Sequence, residues 1–469
     1  MSIYKKYFEE NQGRTFPIYG YSPPPQGEWY IDDTIYTTED FRTVEKYKEY
    51  KECGFNILFM QRTAAYNGEP WETSQTKKAM ENAVEAGLDK IIIVDERIFA
   101  LSDVVGGIIG EGKQFANEEE LDNYVRDCIK DYRHQKGFYG VQLRDEPFHP
   151  YLKAVGEIYR AVKRVDSSIF VHCNLNPLIG PGLGFRICPP ARNQIEAYEK
   201  YLTMFAEETR ADYLMSDIYP FFKSADKANV GRYYFSGLEC VARMCKKLGK
   251  EMHIVIQSFG MTVRKKRYHI PPNRQQMQYQ MNSLICFGVK EFAYFTYWTK
   301  QMNRMQGEFF PNGEAIMDRQ GNKTKLYGYV QEVNNELNSL APLLVNFEYC
   351  ANAFFVKTPF ITTPTFLDTV RGGDLSQVKD VDTDREIVLV SELYDKKKKQ
   401  YMICAMNPTD PQRYRKRYNR ERQVTTLTFD EKYSKADVRI GKKWKTVALE
   451  DGKLNIELYP GEGAIILPY

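Results

Sequence analysis

Eight times between Thr15 and about Pro342, a short run rich in Ile, Val, Phe and Tyr gives way to a longer amphipathic segment. No other property of the chain restricts its fold as strongly. The apolar runs are TFPIYGY, GFNILFMQ, DKIIIVDE, FYGVQLRDE, SIFVHCNLN, DYLMSDIY, MHIVIQSF and EFAYFTYW. Segments of helical period, such as SQTKKAMENAVEAGL and YLKAVGEIYRAVKRV, stand between them, and KLYGYVQEVNNELNSLA follows the last. Continuously apolar strands joined by crossover helices require a parallel sheet covered by helices, and eight such units fit an α/β (β/α)8 TIM barrel over residues 1–342. An open doubly wound sheet is the rival, but no G-x-G-x-x-G turn follows the first run. From roughly Leu343 the helical period stops. Runs such as REIVLVSEL, QYMICAMN, QVTTLTF, ADVRIGK, KLNIELY and GAIILPY are separated by turn residues, which predicts a small all-β sandwich over 343–469.

The bulk properties narrow the function. In 469 residues, 65 Lys and Arg against 62 Asp and Glu give a net charge of +3, with no basic stripe of the kind nucleic acid requires. VRKKRYH, YRKRYNRER and DKKKKQ read as solvated loops or a hairpin tip. Nine cysteines lie scattered without CxxC pairs, as buried thiols of a reducing compartment do. The start MSIYKKYFEENQG has no apolar core of a signal peptide, and no run reaches membrane-span length, so the expectation is a soluble, cytoplasmic protein without a membrane partner. Five histidines without HxH or HExxH spacing point away from a metal, and no cofactor is called for. G-x-S-x-G is also absent.

In a barrel of this class the chemistry lies where strands end, because residues from several strand ends meet in one cavity. Those residues are Tyr19 and Tyr21; Gln61 and Arg62; Asp95, Glu96 and Arg97; Asp145 and Glu146; Asn174 and Asn176; Asp217 and Tyr219; Gln257 and Ser258; Tyr297 and Trp298. Any one of them could cap a helix or pair across the rim, whereas a whole polar ring suggests a site. Glu146 is the sharpest candidate. A carboxyl at a barrel mouth can be held protonated near neutral pH and donate to a leaving group, while Asp145 raises its proton affinity or orients substrate. The plain alternative is a salt bridge from Glu146 to Arg144 or Arg62. Pro147 ends the strand, and Trp298 offers a flat apolar floor for a sugar ring.

These residues resemble those of the clan A glycoside hydrolases, most nearly the β-galactosidase-like families with a barrel followed by β domains. DEP, Asp145 to Pro147, stands where the clan has Asn-Glu-Pro, and FTYWT resembles its eighth-strand end. GEAIMDRQGNKTKLYGYVQEVNNEL resembles the stretch that follows. The resemblance implies Glu146 as acid/base, Asp145 in the Asn position, and a β-linked, galactoside-like substrate bound by Tyr19, Gln61, Arg62, Asp95, Asn174, Asn176, Tyr219, Gln257, Tyr297 and Trp298. One departure stands out: the clan's nucleophile is a Glu ending the seventh strand, and Gln257 occupies that place. Asp217 is one replacement. Another is a substrate-assisted β-N-acetylhexosaminidase mechanism in which Asp145 and Glu146 act as a pair. A third reading is an inactive glycan-binding barrel. A Schiff-base aldolase would need a lysine at a strand end, for which Lys300 is a weak candidate. The C-terminal domain is expected to pack on the barrel, with carbohydrate binding or homo-oligomer contact as alternatives.

Overall fold

The computed structural model describes the chain except residues 1, 32–33, 38, 60–69, 180–183, 185, 224–227, 231–232, 264–265, 300–314, 357–372, 385–386 and 412–421. Gln61, Arg62 and Lys300 therefore lie outside the described residues.

All eight expected strands form: β1 (Ile18–Gly20), β2 (Leu58–Phe59), β3 (Ile91–Ile93), β4 (Phe138–Asp145), β5 (Phe170–Asn174), β6 (Tyr213–Asp217), β7 (Glu251–Gln257) and β8 (Glu291–Phe295). They make two four-stranded parallel sheets, ordered β1-β8-β7-β6 and β2-β3-β4-β5. The two sheets meet at both edges. Leu175, just past β5, forms a parallel bridge with Ser216 of β6, and its N–H donates to the Met215 carbonyl at 2.9 Å. At the other edge the Ile18 carbonyl accepts from the N–H groups of Asn56 and Ile57 at 2.9 and 3.2 Å.

The expected helices follow their strands, and side chains hold their first turns: Thr43, Ser74, Asn117, Asn193, Asn273 and Thr324 each accept a hydrogen bond from a first-turn backbone amide. Two features lie beyond the sequence reading. A helix, Ile3–Glu10, precedes β1, and a four-stranded antiparallel sheet (Phe221–Lys223, Ala228–Val230, Met261–Val263, Lys266–His269) grows from the loops after β6 and β7.

The C-terminal part comprises β9 (Glu348–Val356), β10 (Val378–Thr383), β11 (Ile387–Asp395), β12 (Gln400–Met406), β13 (Gln423–Phe429), β14 (Lys435–Ile440), β15 (Lys443–Ala448), β16 (Lys453–Leu458) and β17 (Gly463–Pro468). A six-stranded antiparallel sheet, β9-β11-β12-β17-β14-β15, faces the three strands β10-β13-β16 across a shared apolar layer that includes Val388, Val390, Ile403, Leu427, Ile456 and Ile466. Its other side is apolar too: Leu389, Leu393, Met402 and Met406 join the large core of the α/β part. This explains why β11 is buried on both faces rather than alternating. The first helix clasps this sheet, with the Tyr7 hydroxyl donating to Asp395 at 2.7 Å and Tyr4 stacked on Trp444 at 4.5 Å. A buried Arg439–Glu336 pair at 2.6 Å ties β14 to the helix Lys325–Leu344. No helix among the described residues is long and apolar enough to cross a membrane.

Inside the α/β part the filling is not purely aliphatic. Glu291, at the start of β8, accepts from the Tyr19 hydroxyl at 2.9 Å and lies 3.4 Å from His253 Nδ1; His253 Nε2 is 3.3 Å from Glu251. The Tyr213 ring stacks flat on the His253 ring at 4.7 Å. Burial alone would lower the His253 pKa, but the Glu291 charge beside it and the hydrogen bond to Glu251 outweigh it and push it up to about 9. The sign follows from linkage. A folded-state pKa above the unfolded 6.5 contributes stability fully present below pH 6.5 and lost as pH rises through about 9. Thermal denaturation is therefore expected to show a midpoint that falls between pH 7 and pH 10 (roughly one unit past that pKa), and His253→Gln should flatten that fall. An unchanged slope in the variant would show that the imidazole is not charged in the folded chain.

Candidate active site

Successive side chains of a regular strand point to opposite faces, so adjacent carboxylates on one strand should not share a cavity. β4 escapes this rule at its end. Its register against β5 shifts between Gln142 and Arg144, and Glu146 takes a left-handed backbone conformation, φ +49°. A non-glycine residue there carries strain of order 1 kcal/mol, and the turn is held by the Glu146 N–H donating to the Asn174 carbonyl at 2.8 Å. Below it, the Pro147 carbonyl accepts from Tyr201 Oη at 2.5 Å and Asn176 Nδ2 at 3.1 Å. The kink turns Glu146 back, and both carboxylates act on Asp217 at the end of β6.

The cluster is knit by one amide. Asn174 Nδ2 donates to Asp145 Oδ1 at 3.1 Å and to Asp217 Oδ1 at 3.3 Å. Asp217 is 5% exposed, whereas Asp145 and Glu146 are open to solvent. Glu146 hydrogen-bonds to Asp217, and the repulsion from Asp217, reinforced by desolvation and by Asp145, holds its carboxyl well above the ordinary range. Burial and the Asp145 charge also raise Asp217, against hydrogen bonds from Glu146 and Asn174 that favour its ionised form. The proton of the pair thus sits on Glu146, with Asp217 as acceptor. Arg144 does not neutralise it: its guanidinium pairs with Asp103 at 2.6 Å and lies over the rings of Phe99 and Tyr151.

Around the carboxyls stand rings. Tyr219 and Phe295 are half-buried, their centroids 6.1 Å apart, and each packs against Phe259, at 5.1 and 5.2 Å. Tyr21 and Tyr219 both feel the charges of Asp145 and Asp217.

The structure brings together Asp145, Glu146, Asn174, Asp217 and Tyr219 from the residues expected at the mouth. It places others in the framework. Asp95 caps the helix Glu96–Leu101, pairs with Arg97 at 2.7 Å and accepts from Tyr132 at 2.8 Å. Gln257 is fully buried with its amide committed to backbone: Oε1 accepts from Phe221 N–H at 2.9 Å, and Nε2 donates to the carbonyls of Phe221, Phe259 and Ile270. Asn176 braces the Pro147 turn. Tyr19 lies in the interior, Tyr297 packs on Tyr50 and Phe55, and Trp298 is 1% exposed with its ring against Phe41 at 4.7 Å. Phe295 carries no sequence signal of its own beside the larger Trp298 three residues on. Among the described residues no group of His, Cys, Asp and Glu could hold a metal ion.

No family model matches the chain, and no curated protein matches it. Solved structures do resemble it. One is described as a glycoside hydrolase, at 10% identity with a TM-score of 0.53 over 97% of this chain and 92% of its own. Another is a glycoside hydrolase family 5 protein from Bacteroides vulgatus, at 9% identity with a TM-score of 0.53 over 97% and 89%. The chain shares its overall fold with these proteins.

Removing the charge of Asp217 should release the Glu146 proton. Asp217→Asn is expected to lower the Glu146 pKa by at least one unit, since a neighbouring charge is the first cause of its elevation. Carboxyl 13C titration would register this, and a Glu146 resonance titrating at the same pH in both proteins would refute the shared proton.

Proposed function

We propose that the two parallel sheets close into one (β/α)8 barrel over residues 1–342, followed by a β-sandwich over 343–469, and that the protein is a glycoside hydrolase with Glu146 as general acid. One observation carries the reading: the left-handed turn at Glu146 sets its carboxyl against Asp217 and Asp145, whose repulsion together with desolvation holds it well above the ordinary range and so favours the protonated form that can protonate a leaving oxygen at neutral pH. The fold shared with glycoside hydrolases supports it. The substrate is a β-linked glycoside, galactoside-like or a related sugar, lying against Tyr219 and Phe295, with Tyr21 and Asn174 beneath.

A second reading concerns the other half of the reaction. Retaining hydrolysis uses carboxyls about 5 to 5.5 Å apart and inverting hydrolysis about 6.5 to 9.5 Å. Asp217 is nearer than either, since it hydrogen-bonds to Glu146 directly. With Gln257 held by backbone at the end of β7, and Glu251 at the strand's opposite end, β7 brings no carboxylate to the mouth. This favours a substrate-assisted route on a 2-acetamido sugar, in which the acetamido oxygen attacks the anomeric carbon, Asp145 or Asp217 orients its N–H, and Glu146 protonates the departing oxygen.

Aryl β-glycosides, 2-acetamido sugars included, are the direct test. Glu146→Gln is expected to lower kcat/KM at least about 100-fold, the scale of a lost general acid. Asp145→Asn should match that loss on acetamido sugars if substrate assistance operates. Full turnover by Glu146→Gln would remove it as the acid; unaltered glycan affinity with no turnover by the wild type would make the barrel a binding protein.

A further inference from the structure

Three carbonyl groups from separate stretches of chain converge on one side chain, and that convergence decides which side chain can stand there. Gln257 closes β7 and is fully buried. Its Nε2 donates to the carbonyls of Ile270 at 2.9 Å, Phe259 at 3.2 Å and Phe221 at 3.3 Å, and its Oε1 accepts from the Phe221 N–H at 2.9 Å. Two hydrogens thus serve three carbonyls, and the reversed amide would set its oxygen against all of them. The backbone of Gln257 is fixed in turn by a second buried amide. Gln280, on the helix Arg274–Cys286, accepts from its N–H and donates to its carbonyl, both at 2.9 Å.

The three stretches are the roots of the antiparallel sheet that grows from the loops after β6 and β7. Phe221 opens the strand Phe221–Lys223, Phe259 lies just before Met261–Val263, and Ile270 follows Lys266–His269. The first and last of these strands are neighbours, with Phe222 paired to His269. Two buried rings stand at this root, behind the mouth. Phe259 packs against Tyr219 at 5.1 Å and Phe295 at 5.2 Å, while His269 packs against Tyr219 at 5.8 Å and Phe259 at 5.1 Å. His269 Nδ1 donates to the same Phe221 carbonyl at 3.2 Å. Phe259 and His269 are buried, whereas the rings they support, Tyr219 and Phe295, are half-buried.

We propose that Gln257 is a positioning residue of the glycan site: its amide pins the root of the added sheet and, through Phe259 and His269, sets the two rings against which the sugar lies. The end of β7 therefore serves recognition and takes no part in breaking the bond. A carboxylate in that place has no hydrogen to give and would turn its charge on three carbonyl oxygens, so the sheet itself closes the position to a nucleophile. Loss of the amide frees the strand Phe221–Lys223 and the Phe259 loop from one another, and Tyr219 and Phe295 lose their fixed backing. The carboxyl cluster does not depend on the clamp, because Glu146 is held by Asn174 and Pro147 by Tyr201 and Asn176. This inference rests on reading the mouth as a glycosidase site, and it adds the element that shapes the sugar pocket.

Hydrogen exchange and steady-state kinetics test this together. In the wild type the Phe221 amide, which donates to Gln257 Oε1, is expected to exchange as slowly as the amides inside β7. Gln257→Met should speed that exchange about tenfold, the scale of one lost buried hydrogen bond, and leave the Glu146 amide unchanged. On para-nitrophenyl β-galactoside and its 2-acetamido counterpart, Gln257→Met and Gln257→Glu are both expected to raise KM several-fold, up to about tenfold, with kcat within about twofold of the wild type. Phe259→Leu, which leaves the amide whole and removes the ring behind Tyr219 and Phe295, should give the same split. Fast exchange at Phe221 in the wild type overturns the proposal without any variant, so it is decided even if Gln257→Met does not fold. A Gln257→Glu protein with raised kcat, or a Gln257→Met protein whose KM and Phe221 exchange match the wild type, overturns it too. If the wild type hydrolyses neither glycoside, the glycosidase reading falls instead, and the Phe221 exchange still decides whether Gln257 clamps the sheet.

Discussion

Three carboxyl groups in one hydrogen-bonded cluster cannot all be ionised, and much of this site follows from how the chain resolves that conflict. Asp217 is buried, Asp145 and Glu146 are open, and a single Asn174 amide bridges the two aspartates. The proton goes to Glu146, which needs the left-handed turn at its own Cα to reach Asp217 at all. A strand that ran straight through Asp145 would send Glu146 to the far face and leave an ordinary surface acid. The strain at this position is thus local and has a chemical use.

The rest of the α/β part can be understood as what holds that turn. The Pro147 carbonyl is tethered by Tyr201 and Asn176, and Asn174 is placed by β5 against β4. Below, the Glu251, His253 and Glu291 group brings compensated charge into an interior that would otherwise be apolar, and the aromatic rings of Tyr213 and Tyr19 cover it. On the outside, the six-stranded sheet is fused to the helices by a continuous core, so the C-terminal part buttresses the α/β part rather than hanging from it.

Period and composition made the eight parallel strands and their helices legible, because a strand covered on both faces must be continuously apolar and a crossover helix must be amphipathic. The helix Ile3–Glu10 leaves no local signal, since what anchors it lies far along the chain: Asp395 is 388 residues from Tyr7, and Trp444 is farther still from Tyr4. The strand-end rule found Asp145, Glu146, Asn174, Asp217 and Tyr219. It could not tell them from Asp95, Gln257 and Asn176, which sit at equivalent positions but satisfy a helix cap, a backbone cage and a turn. Only distances separate a residue that ends a strand from one that faces the cavity. Trp298 shows the same limit: its size advertised a sugar floor, while its ring is covered by Phe41 and the smaller Phe295 is the one left half-open.

The location of one hydrogen tests the central claim most directly. Neutron diffraction from a deuterium-exchanged crystal at neutral pH should show a single deuteron between the Glu146 and Asp217 carboxyls, bonded to Glu146. Density for none, or for a deuteron bonded to Asp217 with Glu146 ionised, would contradict the account.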